Sequence, residues 1–239
     1  MRRFEELAFE QTPMGELTLR RRYEAAVAAD VFEVKLGDEY LMSSLFTVAE
    51  EALSDLGLAA VAADRGALDV VVGGLGLGYT AVAALRDPRV ATLTVVDALP
   101  AVIGWHERRL LPVSTVLIDD PRTRLVHADF FALMRASPAA EGVLPESLDA
   151  ILLDVDHSPT FTLDPSHADL YTVEGLRRLG AHLRPGGVFA LWSDDPPEPT
   201  FLAALGEVFP HVEGHTVAFD NPLTGGRSRN GVYVAVRAG

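Results

Sequence analysis

The sequence predicts an α/β chain. It should form an open, mostly parallel sheet with helices on both faces, an antiparallel strand pair at the C-terminal end, and a small β-rich appendage at the N-terminal end. Three observations carry this. From about residue 67, apolar strand-like runs alternate with amphipathic helix-like runs, the pattern of parallel strands joined by crossover helices. The first of these strands, in "VVVGGLGLGYT" (70–80), breaks into glycines and resumes as the helix-compatible "YTAVAALR". Upstream, "GELTLRRRYE" (15–24) and "DVFEVKLGDEY" (30–40) alternate apolar and polar residues, as half-buried antiparallel strands do.

Taken in order, the two alternating runs form an N-terminal hairpin or small sheet. "MSSLFTVAEEALSDLGL" (42–58) follows with helical spacing, a serine cap at Ser43 or Ser44 and Gly57 near its end. Residues 1–62 make up the appendage and 63–239 the main domain. Strands are expected at 67–74, 91–97, 123–129, 147–154 and 186–193, with helices starting near Tyr79 and spanning 100–111, "FFALMRA", 168–183 and about 198–208. "HVEGHTVAF" (211–219) and "NGVYVAVRA" (230–238) have only a loop between them and should pair antiparallel. Ligands of such sheets bind beyond the carboxyl ends of the strands, where strand order reverses.

Composition narrows the partners. The chain has 239 residues, 34 Asp and Glu against 20 Lys and Arg, and a formal net charge of −14. An acidic surface repels phosphate backbones, so nucleic acid is not expected as a partner, whereas a cationic small molecule suits the field. There are no cysteines, which excludes thiolate catalysis and cysteine zinc sites. "MRRFEELAFEQ" lacks the apolar core of a signal peptide, and no apolar run approaches membrane-spanning length. The expectation is a cytoplasmic protein with no membrane association.

The glycine loop reads as G-x-G-x-G from Gly74, through Gly76 and Gly78, or as G-x-G-x-x-A from Gly76. A strand ending in such a loop and opening a helix cradles an adenine-containing ligand: a dinucleotide, S-adenosylmethionine or its decarboxylated relative. Asp97 ends the next strand, nineteen positions after Gly78, where a carboxylate can accept both hydroxyls of a ribose. Asp129 ends the third strand and is followed by Phe130 and Phe131, a carboxylate beside an aromatic face that suits an adenine. "ILLDVDHSP" (151–159) sets Asp154, Asp156 and His157 at the end of the fourth strand, facing the glycine loop. A dinucleotide domain has no standing need for acids there, but a group-transfer enzyme does.

Assembled in this order, the segments resemble the spermidine synthase family, the polyamine aminopropyltransferases, within the Rossmann-like class I S-adenosylmethionine-dependent transferase fold. "FEQTPMGELTLRR", "GDEYLMSSLFTVAEEAL", "VVGGLGLG", "VVDALPAVIGWHERRLLP", "DPRTRLVHADFFALM", "LDAILLDVDHSP" and "LRPGGVFALWSDDPP" follow the family's order almost end to end. The resemblance implies that Gly74, Gly76 and Gly78 pack against the nucleoside, that Asp97 holds the ribose and Asp129 the adenine amino group, and that Asp154 sits near the transferring chain. It also implies polyamine biosynthesis, with decarboxylated S-adenosylmethionine or S-adenosylmethionine as co-substrate, an amine acceptor and a homodimer. The departures are specific. The family's glycine-loop acid falls on Leu75 or Gly76, and its tyrosine, histidine and glutamate at the helix start fall on Met42, Ser43 and Ser44. Its first-strand glutamine falls on Gly15, and its second loop acid on His157 unless a one-residue shift places Asp156 there. The lost acids weigh against a polyamine acceptor and keep two alternatives open, an S-adenosylmethionine-dependent methyltransferase and a non-catalytic homologue.

In either transfer a nucleophile attacks a carbon on a sulfonium and a neutral thioether leaves. A primary amine, with a pKa around 10.4, must first lose a proton. Asp156 and His157 are the candidate bases, and His157 has the better intrinsic pKa near neutrality. No second ligand group with metal spacing accompanies them, so no metal is expected. Trp105 and Trp192 read as packing residues, and the acids of "SDDPPEP" (193–199) as a capped turn or a pocket mouth.

Overall fold

The computed structural model describes residues 4–12, 15–138 and 142–239. Residues 1–3 of the N-terminal segment, and the Pro13–Met14 pair inside "FEQTPMGELTLRR", lie outside the described residues. The chain forms two sheets. The smaller is an antiparallel meander of β1 (Phe4–Thr12), β2 (Gly15–Glu24), β3 (Ala29–Leu36) and β4 (Glu39–Ser43), paired in chain order. Its alternation separates two faces: Leu17, Leu19 and Val34 share one and are buried, while Phe4, Phe9 and Tyr40 share the other and are exposed. The "GDEY" stretch turns tightly and begins β4, so the chain adds a strand where the sequence suggested the start of a helix.

The helix itself, α1 (Val48–Ala59), starts later, after Thr47. Ser43 and Ser44 do not cap it. Ser43 Oγ accepts from Leu45 N at 3.3 Å, and Ser44 Oγ accepts from Phe32 N at 2.8 Å, stitching the β4 end to β3. Although α1 falls within residues 1–62, it lies on the large sheet. A Cβ at Gly57 would stand 2.7 Å from Leu152 Cδ2 and 3.0 Å from Ala190 Cβ, so glycine lets the helix settle directly onto the central strands.

The large sheet has seven strands in the order β10-β11-β9-β8-β5-β6-β7. They are β5 (Leu68–Gly73), β6 (Val90–Asp97), β7 (Thr123–His127), β8 (Leu148–Leu153), β9 (Leu183–Ser193), β10 (His211–Asn221) and β11 (Gly226–Val236). The pairs β5–β6, β6–β7, β5–β8 and β8–β9 are parallel, while β9–β11 and β11–β10 are antiparallel. Helices α2 (Tyr79–Leu85), α3 (Pro100–Glu107), α4 (Ser114–Asp119), α5 (Phe130–Arg135), α6 (Val173–Ala181) and α7 (Pro199–Gly206) complete the fold. The segment expected as one helix over 168–183 divides at Thr172 into a 3-10 turn, Pro165–Tyr171, and α6, whose first turn Thr172 caps by accepting from Gly175 N at 3.0 Å.

Period-2 alternation divides the core between the two faces. Val70, Val72, Ala150 and Leu152 join Leu53, Leu58 and Trp105 on one face, and Val71, Ile151 and Leu153 join Phe130, Leu176 and Leu179 on the other. Because β5 and β8 are covered on both sides, they read as unbroken apolar runs. From β5 the connections run one way to β6 and β7 and the other way to β8 and β9. The reversal therefore falls between β5 and β8, and the glycine loop and the acid-rich loop after β8 emerge there side by side.

Candidate active site

The glycine loop turns through three left-handed residues, Gly74 (φ 92°), Gly76 (φ 46°) and Gly78 (φ 90°). Gly74 is required by proximity. A Cβ there would stand 2.0 Å from the Asp154 carbonyl oxygen, so only glycine lets the ends of β5 and β8 run together. At Gly78 the Cβ would meet His106 Cε1, Leu117 Cδ1 and Val113 Cγ2, all within 2.9 Å. The back of the loop is therefore packed against α3 and α4. His106, fully buried, lies with Nε2 3.0 Å from the Gly76 carbonyl and Nδ1 3.2 Å from Ser114 Oγ. Burial lowers its pKa, so the neutral ring donates from Nε2 to the loop and accepts from the serine.

The front of the loop borders a cavity of about 400 Å³, walled by β4, α1, the β8 end and the β10–β11 hairpin. Asp154, His157 and the loop positions Leu75, Gly76, Leu77 and Gly78 line it. Asp154 Oδ2 accepts from Thr80 Oγ1 at 2.5 Å, and burial pushes its carboxyl up to about 6 against the pull of that hydroxyl. His157 stacks on Phe161 with ring centroids 4.9 Å apart. Its Nε2 is buried and lies 3.5 Å from Glu39 Oε1, without the geometry of a hydrogen bond.

Asp156 is not part of this wall. Its buried carboxylate accepts from Leu163 N at 2.7 Å, His167 Nδ1 at 2.8 Å and Tyr171 OH at 2.7 Å, so it ties down the loop after β8. Tyr171 is correspondingly held well above the usual phenol range, by burial first and the Asp156 charge second. Of the two candidate bases, only His157 reaches the cavity.

Asp97, Asp129 and Phe130, expected around the nucleoside, do not line this cavity. Asp97 closes β6 with Oδ2 accepting from Leu75 N at 2.9 Å and Oδ1 from Leu99 N at 2.8 Å. It holds the glycine loop from behind and does not line the cavity. Burial raises its pKa and these backbone donors oppose the rise. Asp129 caps α5, accepting from Ala132 N at 3.0 Å, with half of its side chain exposed. Phe130 is buried in the core, and its ring takes the space a Cβ on Gly73 would need, 2.7 Å from Cδ2.

Three further residues line the cavity; Glu50 and Trp192 had no signal as site residues in the sequence, and Asp194 only the pocket-mouth reading of its segment. Glu50 sits in the first turn of α1 among other acids, where helices ordinarily carry solvated carboxylates. In the cavity, burial first and the Asp154 charge second push it up to about 8. Asp194 joins from the end of β9, its Oδ1 accepting from Asn230 Nδ2 at 2.9 Å, so "SDDPPEP" does supply a wall acid. Trp192 borders the cavity with a buried, unpartnered Nε1, whereas Trp105 is fully buried packing. No group of three or more His, Asp or Glu among the described residues is arranged to hold a metal ion. No described helix is long and apolar enough to cross a membrane.

No family model matches the chain. Over 178 residues, 73% of its length, it is 28% identical to proteins named polyamine aminopropyltransferase from Mycobacterium tuberculosis (strains CDC 1551 and H37Rv) and Mycobacterium bovis. The chain spans about a third of the length of these curated relatives, the match covering 32% of each. A solved spermidine synthase in complex with the transition-state analogue AdoDATO has a TM-score of 0.72 at 18% identity, over 98% of this chain and 74% of that one. The spermidine synthase from Thermotoga maritima has a TM-score of 0.71 at 17% identity, over 98% and 73%. The chain thus shares the spermidine synthase fold, with its class I S-adenosylmethionine-type sheet, and in sequence it resembles the polyamine aminopropyltransferases.

Proposed function

We propose that this chain is a spermidine synthase-like transferase that moves an aminopropyl group from decarboxylated S-adenosylmethionine to a small-molecule amine. The observation that carries the reading is the cavity at the β5–β8 reversal, where the glycine loop, Asp154 and His157 converge. In this reaction the acceptor nitrogen attacks the methylene carbon bonded to sulfur. The C–N bond forms as the C–S bond breaks, and the electron pair leaves on the neutral thioether, 5′-methylthioadenosine. Before attack the acceptor ammonium gives up one proton, and His157 is the side chain placed to take it. Its ring borders the cavity, is held by Phe161, and has an Nε2 that no hydrogen bond occupies. Asp154, beside the loop, orients the cationic substrate.

The nucleoside rests on the glycine loop in this reading. Asp97, whose carboxylate accepts from Leu75 N of the loop and from Leu99 N before α3, orders that loop and would meet a ribose through its remaining lone pairs. Asp129 would meet the adenine only at its exposed edge. We further infer a cytoplasmic homodimer built on the N-terminal sheet, whose β1 edge is unpaired among the described residues and whose surface carries Phe4 and Phe9.

The test is a transfer assay with decarboxylated S-adenosylmethionine and a panel of diamines, reading 5′-methylthioadenosine release and aminopropylated product together. Release of both in equal amounts supports the proposal. Methylated product from S-adenosylmethionine, with no aminopropyl transfer, would replace it with the methyltransferase reading. Neither product would leave a non-catalytic homologue.

A further inference from the structure

Glu50 and Asp154 enter the cavity from separate elements, one from the first turn of α1 and one from the end of β8. Thr80 bridges their elements. Its hydroxyl stands 2.5 Å from Asp154 Oδ2 and 3.3 Å from the Glu50 carbonyl, while Ser54 Oγ of α1 donates to the Thr80 carbonyl at 2.7 Å. Thr80 thus fixes the Asp154 carboxylate and the backbone of Glu50 from behind, and the Asp154 charge acts on the Glu50 carboxyl. Asp194 adds a third negative charge on the same wall.

Among the described residues no cationic side chain forms an ion pair with Glu50 or Asp154. Arg86 pairs with Glu51 at 2.7 Å instead, and His157 faces Glu39. Arg229 borders the cavity but makes no ion pair with Glu50 or Asp154 among the described residues. Burial in a partly apolar cavity disfavours the charged form of both carboxylates, and a cation seated beside them offsets that cost. The lining also carries apolar side chains, Leu75 together with Phe46 and Phe219, whose ring centroids lie 5.4 Å apart, a surface for methylene groups. Two buried ring nitrogens on the wall, Trp192 Nε1 and His157 Nε2, also lack hydrogen-bond partners, as in a cavity built for a polar occupant.

We propose that Glu50 and Asp154 together form the seat of one ammonium group at the end of the ligand's alkyl chain, making Glu50 a specificity-determining residue. The proposal rests on the aminopropyl-transfer reading of this cavity. It explains how a glycine loop without any acid serves a cationic ligand: the counter-charge comes across the cavity from α1.

The experiment measures equilibrium binding to the full chain of three probes: decarboxylated S-adenosylmethionine, 5′-methylthioadenosine and 1,4-diaminobutane. The second carries the nucleoside without the ammonium, and the third carries ammonium groups without the nucleoside. Glu50→Gln keeps the shape and removes the charge. It is expected to weaken decarboxylated S-adenosylmethionine by about tenfold or more while leaving 5′-methylthioadenosine within about twofold, which also shows that the variant is folded. Asp154→Asn should do the same. Equal affinities of wild type and Glu50→Gln for both charged probes would overturn the seat. Loss of 5′-methylthioadenosine binding in step with the charged probes would overturn it too, since the residue would then be holding the fold. If the wild type binds neither nucleoside, the transfer reading fails. The seat then stands or falls on whether Glu50→Gln weakens 1,4-diaminobutane, and no diamine binding by the wild type overturns it as well.

Discussion

The two faces of the glycine loop are built on opposite principles. Behind it, Asp97, His106 and Ser114 each spend their polar atoms on partners within the chain, and Val113 and Leu117 fill what space is left. In front of it, Glu50, Asp154 and His157 face a cavity with charge or lone pairs to spare. The same contrast recurs two residues apart along the chain. Asp156 accepts three hydrogen bonds and is closed off, while Asp154 accepts one and borders the cavity. A carboxylate that is satisfied inside the protein holds the structure; one that is not is available to a ligand.

The sharpest way to break this comparison is to remove a group from each face. On the front, His157→Ala is expected to lower kcat/KM for aminopropyl transfer on the order of 100-fold or more, with unfolding by urea unchanged. Steady-state kinetics against diamine concentration would check it, and an unaffected rate would remove His157 from the chemistry. On the back, Gly78→Ala forces a left-handed residue and a clash with His106, Leu117 and Val113, and should cost roughly 2–4 kcal/mol of stability in a urea titration. Tyr171→Phe leaves Asp156 short of one donor and should cost about 1–2 kcal/mol, with the affinity for 5′-methylthioadenosine retained.

A pH series sharpens the comparison further. Glu50 and Asp154 are raised in the folded chain, to about 8 from 4.5 and to about 6 from 3.8, by burial first. The folded state therefore binds protons more tightly than the unfolded one. This contribution is fully present below the unfolded values and is lost as pH rises through about 6 and then about 8. Thermal midpoints of the ligand-free protein should accordingly fall between pH 5 and pH 8, and Glu50→Gln should flatten that fall. The smallest effect concerns Asp129. Its replacement by alanine removes the α5 cap and should cost about 1 kcal/mol. If nucleoside binding drops as well, the carboxylate also meets the adenine, and if binding holds, capping is its whole role.

The strand–glycine–helix unit was legible because it depends on local chemistry. Gly74 and Gly78 adopt left-handed backbone angles that side chains disfavour, and the apolar runs of β5 and β8 follow from coverage on both faces. The late start of α1 was less legible, since "GDEYLMS" has both helical spacing and a turn-plus-strand reading, and pairing with β3 decides between them. Nor does a residue type say what its side chain does once placed. Phe130 after Asp129 reads equally as an aromatic face for a base or as a core residue, and the space above Gly73 settles it as core.

By itself, then, the sequence determined the order of the strands in the large sheet and of the helices between them apart from α4, the position of the glycine loop and the strand ends where acids gather, because periodicity and backbone preference are written residue by residue. Which acid meets the cavity was decided only in three dimensions. Asp156 and Asp154 are near neighbours on one loop, yet Leu163, His167 and Tyr171 arrive from further along the chain to occupy the first and leave the second. Glu50 comes to the site because Gly57 lets α1 lie on β8 and β9 and brings its first turn to the mouth of the loop. Burial and pairing depend on what the rest of the chain brings near, and no local pattern records that.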